Sequence, residues 1–127
     1  MNNEYKILQS YRKFNVGVLD DNSENPIENH DIIEGGEPNV TISSYTPNSH
    51  NIHIDLDCDH LYVPSSTPGH GHLYIPNSLS LDHYIQFTRV LMDAGVVGTG
   101  WYDALVTRGY STLRLPWVKK GNGNGTL

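Results

Sequence analysis

Thr67, Pro68 and Gly69 separate two short segments, HLYVPSS and HGHLYI, that look like β-strands. Proline restricts its own φ and glycine tolerates positive φ, and tight connections use both properties. The sequence therefore predicts a β-hairpin here. This prediction constrains the fold most, because it fixes two neighbouring strands and the turn between them.

The next segment, SLSLDHYIQFTRVLMDAG, predicts an α-helix. Ser78 or Ser80 can cap its start, and Gly95 can end it. Its buried face is predicted from four residues at helical spacing, which are Tyr84, Phe87, Thr88 and Leu91. Further on, GTGWYDALVTRG predicts a short second helix or a turn, and YSTLRLPWV predicts a last strand that stops at Pro116.

Short strands are also predicted before the hairpin, in YKILQS, KFNVGVL, NVTISSYT and NIHIDLD. Residues 20–39 are polar with almost no apolar pattern, which predicts a long exposed loop, and residues 121–127 predict a flexible tail. Together these elements predict an α+β fold in a single compact domain over residues 1–120. We expect a mainly antiparallel sheet with one or two helices packed on one face.

Hydrophobic residues make up 37% of the 127 residues and charged residues 17%, which is typical of a globular protein rather than a disordered chain. No window approaches the roughly 18 apolar residues of a membrane span, so no membrane partner is expected. No secretory leader is visible at the N-terminus. Cys58 is the one cysteine, which excludes an internal disulfide and favours a cytoplasmic location. The oligomeric state is not indicated.

The formal net charge is −6, which argues against a protein that coats nucleic acid through bulk electrostatics. Four cations nevertheless lie together near the C-terminus: Arg108, Arg114, Lys119 and Lys120. The cluster has two interpretations of about equal weight. It forms either a local cationic surface or an ordinary solvated face.

Asp55 and Asp57 lie two residues apart in the predicted strand NIHIDLD. Residues two apart on a strand share a face, so both carboxylates are expected on one side, roughly 7 Å apart at the backbone. Mg²⁺ and Mn²⁺ bind such carboxylates and complete their coordination with waters and substrate phosphates. Most D-x-D pairs are simply solvent-facing, but the apolar strand and the histidine hairpin that follows favour a metal site here.

His70 and His72 also alternate, and on a strand they are expected to share a face. A neutral imidazole can bind a metal, and a protonated one can bind a phosphate. Ser65, Ser66 and Thr67 add hydroxyl groups, and the glycine turn lets backbone N–H groups approach an anion. The other interpretation is a hairpin with a polar exposed face. The number of polar groups within two strands favours a ligand site.

Zinc is a competing ligand for the same region. Six side chains are suitable in type: His50, His53, Cys58, His60, His70 and His72. The lone cysteine and the lack of C-x-x-C or H-x-x-x-H spacing argue against a structural zinc site. A catalytic zinc held by histidines and one aspartate stays open.

Asp103, Arg114 and Lys119 complete the candidate set. The planar guanidinium of Arg114 is well suited to phosphate, and Lys119 follows just beyond it. Asp103 is either a third acidic ligand or a residue at the start of a helix, and the spacing favours neither.

The order of these motifs resembles the archaeo-eukaryotic primase superfamily, especially the small primase-polymerases of phages and plasmids. IDLD is similar to the first motif of that family, SSTPGHGHLYI to the second, and the stretch from Asp103 to RLPWVKK to the third. The resemblance covers about half of the chain. It implies metal ligands at Asp55, Asp57 and Asp103. It also implies phosphate contacts from three further residues, His72, Arg114 and Lys119.

The same segments also resemble small uncharacterised bacteriophage proteins. We therefore expect a phage-encoded protein of the host cytoplasm that interacts with nucleotides or nucleic acid. One hypothesis is a divalent-metal-dependent nucleotidyl-transfer or phosphoester enzyme of a reduced primase-like type. The alternative is a non-catalytic binder of nucleotides or of a host factor, for example one that sequesters a defence signalling nucleotide. The small size of the chain, the incomplete motifs and the many aromatics favour the alternative, because aromatic rings stack on bases. These aromatics are Tyr62, Tyr74, Trp101, Tyr110 and Trp117.

Overall fold

A computed structural model describes residues 14–19 and 32–119 of the chain. The chain divides into two compact units, Met1–Asp55 and Leu56–Leu127. The predicted strand YKILQS and the predicted tail at residues 121–127 lie outside the described residues. Within the described part, no helix is both long and apolar enough to cross a membrane.

The first unit contains a three-stranded antiparallel sheet. Its strands are β1 (Asn15–Leu19), β2 (Ile32–Ile33) and β3 (Val40–Ile42), in the order β2-β1-β3. β1 is central, with Val18 opposite Ile33 on one side and Val16 opposite Thr41 on the other. The strand predicted in KFNVGVL is therefore confirmed at residues 15–19.

The Asn39 side chain extends the pairing of β1 beyond the end of β3. Its Oδ1 accepts from the Leu19 backbone N–H at 2.8 Å, and its Nδ2 donates to the Leu19 carbonyl at 3.1 Å. A carboxamide carries one acceptor and two donors, so it can replace a strand residue as a partner. Asn39 thereby satisfies both backbone groups of the last residue in β1.

A second, two-stranded sheet follows in the first unit, formed by β4 (Ser44–Thr46) and β5 (Ser49–His50). The pairing is antiparallel and its register shifts between residues 44 and 46. The Thr46 and Ser49 hydroxyls lie 2.6 Å apart across the turn. The Asn51 backbone N–H donates to the Ser43 carbonyl at 2.7 Å, which closes the base of the hairpin.

The second unit begins with the hairpin of β6 (Leu61–Pro64) and β7 (Gly71–Tyr74), which confirms the hairpin predicted around Thr67–Gly69. Val63 lies opposite His72, and Tyr62 lies opposite Leu73. The Tyr62 ring covers the backbone of Gly71 so closely that a Cβ on Gly71 would overlap it. Glycine in this strand is explained by that close approach.

Helix α1 spans Leu81–Asp93 and confirms the predicted helix. The Ser80 side chain caps it by accepting from the His83 backbone N–H at 3.2 Å. The helix ends where Gly95 adopts a φ of 77°, and the N–H of Gly95 donates to the Met92 carbonyl at 2.9 Å. Both ends follow the signals in the sequence, because caps depend on residues next to the helix.

Helix α2 spans Thr99–Arg108 and packs against α1. It ends at Gly109, which has a φ of 80° and donates its N–H to the Leu105 carbonyl at 2.8 Å. A Cβ placed on Gly109 would lie 3.8 Å from Leu81 Cδ2. The end of α2 therefore lies beside the start of α1, so the two helices run antiparallel.

Among the described residues, only Leu105 on α2 and Thr88 on α1 are fully buried, with 0% and 1% of their surfaces exposed. Of the predicted buried face of α1, Tyr84 and Leu91 are half-buried, but Phe87 is exposed. The Thr88 hydroxyl is buried without a hydrogen-bond partner. The two helices thus carry the best-buried side chains of the second unit.

The α+β class and the antiparallel pairing are confirmed, with the strands divided among three small sheets. Three local predictions are wrong: the loop predicted at residues 20–39 contains β2, and neither NIHIDLD nor YSTLRLPWV forms a strand. The strand predicted in NVTISSYT is present but is divided into β3 and β4, which belong to separate sheets. Alternation alone does not make a strand, because the backbone also needs a neighbour to pair with. The single-domain prediction stays a prediction.

We predict that Thr88→Val stabilises the protein by about 1 kcal/mol, because a buried hydroxyl without a partner loses its hydration for no compensating bond. Urea unfolding followed by circular dichroism measures the change. Thr107→Val on the exposed face of α2 is the matched control and should have little effect. A Thr88→Val variant that is less stable than the parent would contradict the prediction.

Candidate functional site

The two predicted acidic ligands lie on opposite sides of the division between the units. Asp55 is the last residue of the first unit, whereas Asp57 belongs to the second, and both side chains are exposed. In the first unit, Asp55 borders a shallow cavity of about 330 Å³ together with Phe14, Thr41 and His53. The expected shared strand face does not exist, because residues 51–57 are not a strand. Their roles as metal ligands stay a prediction.

Asp103 lies on α2 with an exposed side chain. Within residues 14–19 and 32–119, no group of three or more His, Cys, Asp or Glu side chains is placed to hold a metal ion. Magnesium needs only one or two protein carboxylates when waters and phosphates supply its other ligands. The binding of magnesium or manganese therefore stays a prediction.

The loop between β6 and β7 uses much of its hydrogen-bonding capacity internally. The Thr67 backbone N–H donates to Ser65 Oγ at 3.2 Å, and the His70 N–H donates to the Thr67 carbonyl at 3.0 Å. The Ser65 N–H in turn donates to the His70 carbonyl at 2.9 Å. Gly69 has a φ of 80°, which this turn requires. The side chains of Ser66, Thr67 and His70 are exposed to a ligand.

The two histidines of the hairpin have different environments. His70 lies directly before β7 and is exposed, and the face that it was expected to share with His72 stays a prediction. His72 lies within β7, is half-buried, and has its ring centroid 6.4 Å from that of Tyr74 in an edge-to-face arrangement. His72 is therefore held by the sheet and an aromatic neighbour, whereas His70 projects from the loop.

The C-terminal part of the chain carries a charge opposite to that of the rest. Residues 104–127 contain four Lys or Arg side chains and no carboxylate, whereas residues 1–103 contain all fourteen carboxylates. Arg108, Arg114 and Lys119 are exposed. Within the part of the chain that the structure describes, none of these three forms an ion pair. Their charges are thus free to meet an anion.

We name residues 108–119 the basic–aromatic segment. Two hydrogen bonds hold it against the helices. The Trp101 indole N–H on α2 donates to the Thr112 carbonyl at 3.0 Å, and the Tyr84 hydroxyl on α1 lies 2.8 Å from the Ser111 hydroxyl. Since the segment belongs to neither a helix nor a strand beyond residue 108, these bonds fix its course.

The basic–aromatic segment ends in a turn that presents an aromatic ring. The Val118 N–H donates to the Leu115 carbonyl at 3.0 Å, so residues 115–118 form a β-turn with Pro116 at its first corner. Trp117 occupies the second corner and is 76% exposed. Tyr110, at the other end of the segment, is 59% exposed. Two open aromatic faces therefore lie among the three cations.

The sequence identified Arg114 and Lys119 and placed Trp117 among the aromatics that can stack on bases, but the turn that exposes Trp117 was not predicted. The signal that would have found the turn is Pro116, because proline is favoured at the first corner of such turns. A groove of about 590 Å³ in the first unit was also missed. Its wall includes His50, which lies 2.9 Å from the Ser43 hydroxyl, and Asn51, whose Oδ1 is buried without a hydrogen-bond partner.

Comparisons of the chain with protein family models, with curated proteins and with solved structures give no match.

We predict that Trp101→Phe loosens the basic–aromatic segment, because phenylalanine cannot donate to the Thr112 carbonyl. A lost hydrogen bond of about 1 kcal/mol corresponds to roughly fivefold faster local opening. Amide hydrogen exchange of residues 110–114 measures it. Trp117→Phe is the matched control, since the Trp117 indole makes no hydrogen bond with a described residue. Equal exchange in the two variants would show that this bond does not hold the segment.

Proposed function

We propose that this protein binds the phosphates and bases of a nucleotide or nucleic acid through its basic–aromatic segment. The observation that carries the proposal is the combination of three exposed, unpaired cations with two exposed aromatic rings in a segment free of carboxylates. Guanidinium groups bind phosphate with a planar donor fork, and aromatic rings stack on bases. None of the three cations forms an ion pair with a described residue, and neither aromatic ring is buried.

The net charge of −6 does not remove the attraction of a phosphate for this segment. At physiological ionic strength, exposed charges more than about 8 Å apart are largely screened. A phosphate close to Arg114 therefore responds mainly to the cations near it in sequence. The excess of carboxylates before residue 104 limits nonspecific binding elsewhere on the chain. Charge segregation thus favours one local site over a general coating surface.

The hairpin loop is the second region that we propose as a phosphate contact. Its candidate residues are Ser65, Ser66, Thr67, His70 and His72. Exposed hydroxyl groups donate to phosphate oxygens, and a histidine adds a positive charge when it is protonated. We propose that this loop contacts phosphates of the ligand. We also propose that the protein is encoded by a phage and acts in the cytoplasm of the host cell.

A metal-dependent phosphoester or nucleotidyl-transfer enzyme is the second candidate function. The supporting observation is that Asp55, Asp57 and Asp103 are all exposed, so hydrated Mg²⁺ or Mn²⁺ can reach each carboxylate. A bound ion would neutralise charge on the transferred phosphate. Arg114 and Lys119 would orient the phosphates by charge.

We predict that Arg114→Ala weakens binding of a fluorescent single-stranded oligonucleotide about tenfold, since a charge-assisted contact to phosphate is lost. Fluorescence anisotropy at low salt measures the affinity. Arg89→Ala is the matched control, because Arg89 lies on α1 and faces Asp93, with Nε 3.9 Å from Oδ2. Equal losses in both variants would remove the assigned site, and no binding by the parent protein would remove the proposed function.

The enzyme candidate predicts that nucleotide turnover requires Mg²⁺ or Mn²⁺ and is lost in Asp55→Asn, a variant that keeps the side-chain size but removes the charge. Release of pyrophosphate or phosphate from nucleoside triphosphates is the measurement. Asp93→Asn on α1 is the control. Oligonucleotide binding that persists in chelator without any turnover would leave the non-catalytic binder as the function.

A further inference from the structure

We infer that the ligand of the basic–aromatic segment is a single-stranded nucleic acid several nucleotides long, rather than a mononucleotide or a duplex. This inference rests on the proposed function and names the class of ligand for the same site. It follows from three properties of the segment, which are the openness of its rings, the linear order of its charges and rings, and the charge of the adjacent helices.

The first property is the openness of the rings. Sites for small molecules are concave and bury roughly 70–90% of the ligand surface. Trp117 stands at the corner of a β-turn with 76% of its surface exposed, and Tyr110 is 59% exposed. A mononucleotide at either ring would stay largely in solvent and gain one stacking contact. A single-stranded nucleic acid makes this stacking contact with more than one base, because its bases are covalently linked.

The second property is the linear order of the groups. Along the chain, cations and rings alternate in the sequence Arg108, Tyr110, Arg114, Trp117 and Lys119. The two rings are seven residues apart, so their Cα atoms are at most about 25 Å from each other. A stacked strand rises about 3.4 Å per nucleotide, so that reach corresponds to at most roughly seven nucleotides. The two rings can therefore serve different bases of one strand.

The third property concerns the helices beside the segment. A duplex keeps its base faces stacked inside, so Trp117 and Tyr110 would find no open base except at an end. A duplex site then depends on a broad cationic face or on a helix that enters the major groove. The exposed carboxylates Asp82 on α1 and Asp103 on α2 oppose both arrangements. A single-stranded nucleic acid that lies along the basic–aromatic segment avoids the repulsion by the carboxylates of the helices.

Fluorescence anisotropy at about 50 mM salt tests the inference with labelled oligothymidylates of roughly two to twelve nucleotides. A duplex of the longest oligomer and a labelled ATP are the comparison probes. We expect affinity to rise with length up to roughly seven nucleotides and then level off, with the longest single strand at least about tenfold tighter than ATP or duplex.

Variants at Trp117 test the stacking contact. Trp117→Ala should weaken the single strand about tenfold, whereas Trp117→Phe keeps a ring and should lose less than about threefold. Oligonucleotide binding should quench tryptophan fluorescence in the parent, and Trp117→Phe should remove most of that quenching. Phe87→Ala, which removes an exposed ring from α1, is the control and should bind normally.

The outcomes separate the inference from the proposed function. Equal affinity for single strand, duplex and ATP overturns the inference but leaves nucleotide binding in place. Unchanged binding and quenching in the Trp117 variants also overturns it. No binding of any probe by the parent protein removes the proposed function, and the inference fails with it.

Discussion

The antiparallel packing of α1 on α2 is the contact on which the second unit depends. The two helices carry the two fully buried side chains among the described residues, Leu105 and Thr88. They also provide both hydrogen bonds that fix the basic–aromatic segment, from Trp101 to Thr112 and between Tyr84 and Ser111. With so few buried side chains, each bond at this contact is a large share of the local stability. Loss of the packing would release the basic–aromatic segment from the helices.

The contact between the helices matters for the proposed function because the segment that it holds carries cations and no carboxylates. Arg108 lies in the last turn of α2, where the negative end of the helix dipole favours a cation. From that point the chain carries positive charge only, and the two hydrogen bonds hold it beside the helices with Tyr110 and Trp117 exposed. Exposed aromatic rings beside cations can stack on the bases of a nucleic acid. Stacked bases are a partner that also satisfies the neighbouring cations, which is why we favour nucleic acid as the ligand.

The resemblance to primases rests on three motifs, and the structure positions them unequally. The hairpin that was compared with the second motif is present. In the first motif, the carboxylates of Asp55 and Asp57 follow an irregular backbone and belong to different units. Strand geometry therefore no longer supports their pairing, and a shared metal ion remains a proposal. The stretch that was compared with the third motif contains the cations of the basic–aromatic segment, which would serve the proposed binder as well as the proposed enzyme.

The sequence by itself determined the elements whose signals are local. The β6–β7 hairpin follows from Pro68 and Gly69, and α1 begins and ends where Ser80 and Gly95 predict, because turns and caps depend on neighbouring residues. Tertiary structure alone decided which alternating segments became strands. Residues 32–33 pair with β1, whereas residues 51–57 and 111–118 find no strand partner. It also decided exposure, since the packing of two helices buried Thr88 and left the Trp117 ring open. Strand pairing and burial depend on residues distant in sequence, and a local pattern carries no information about them.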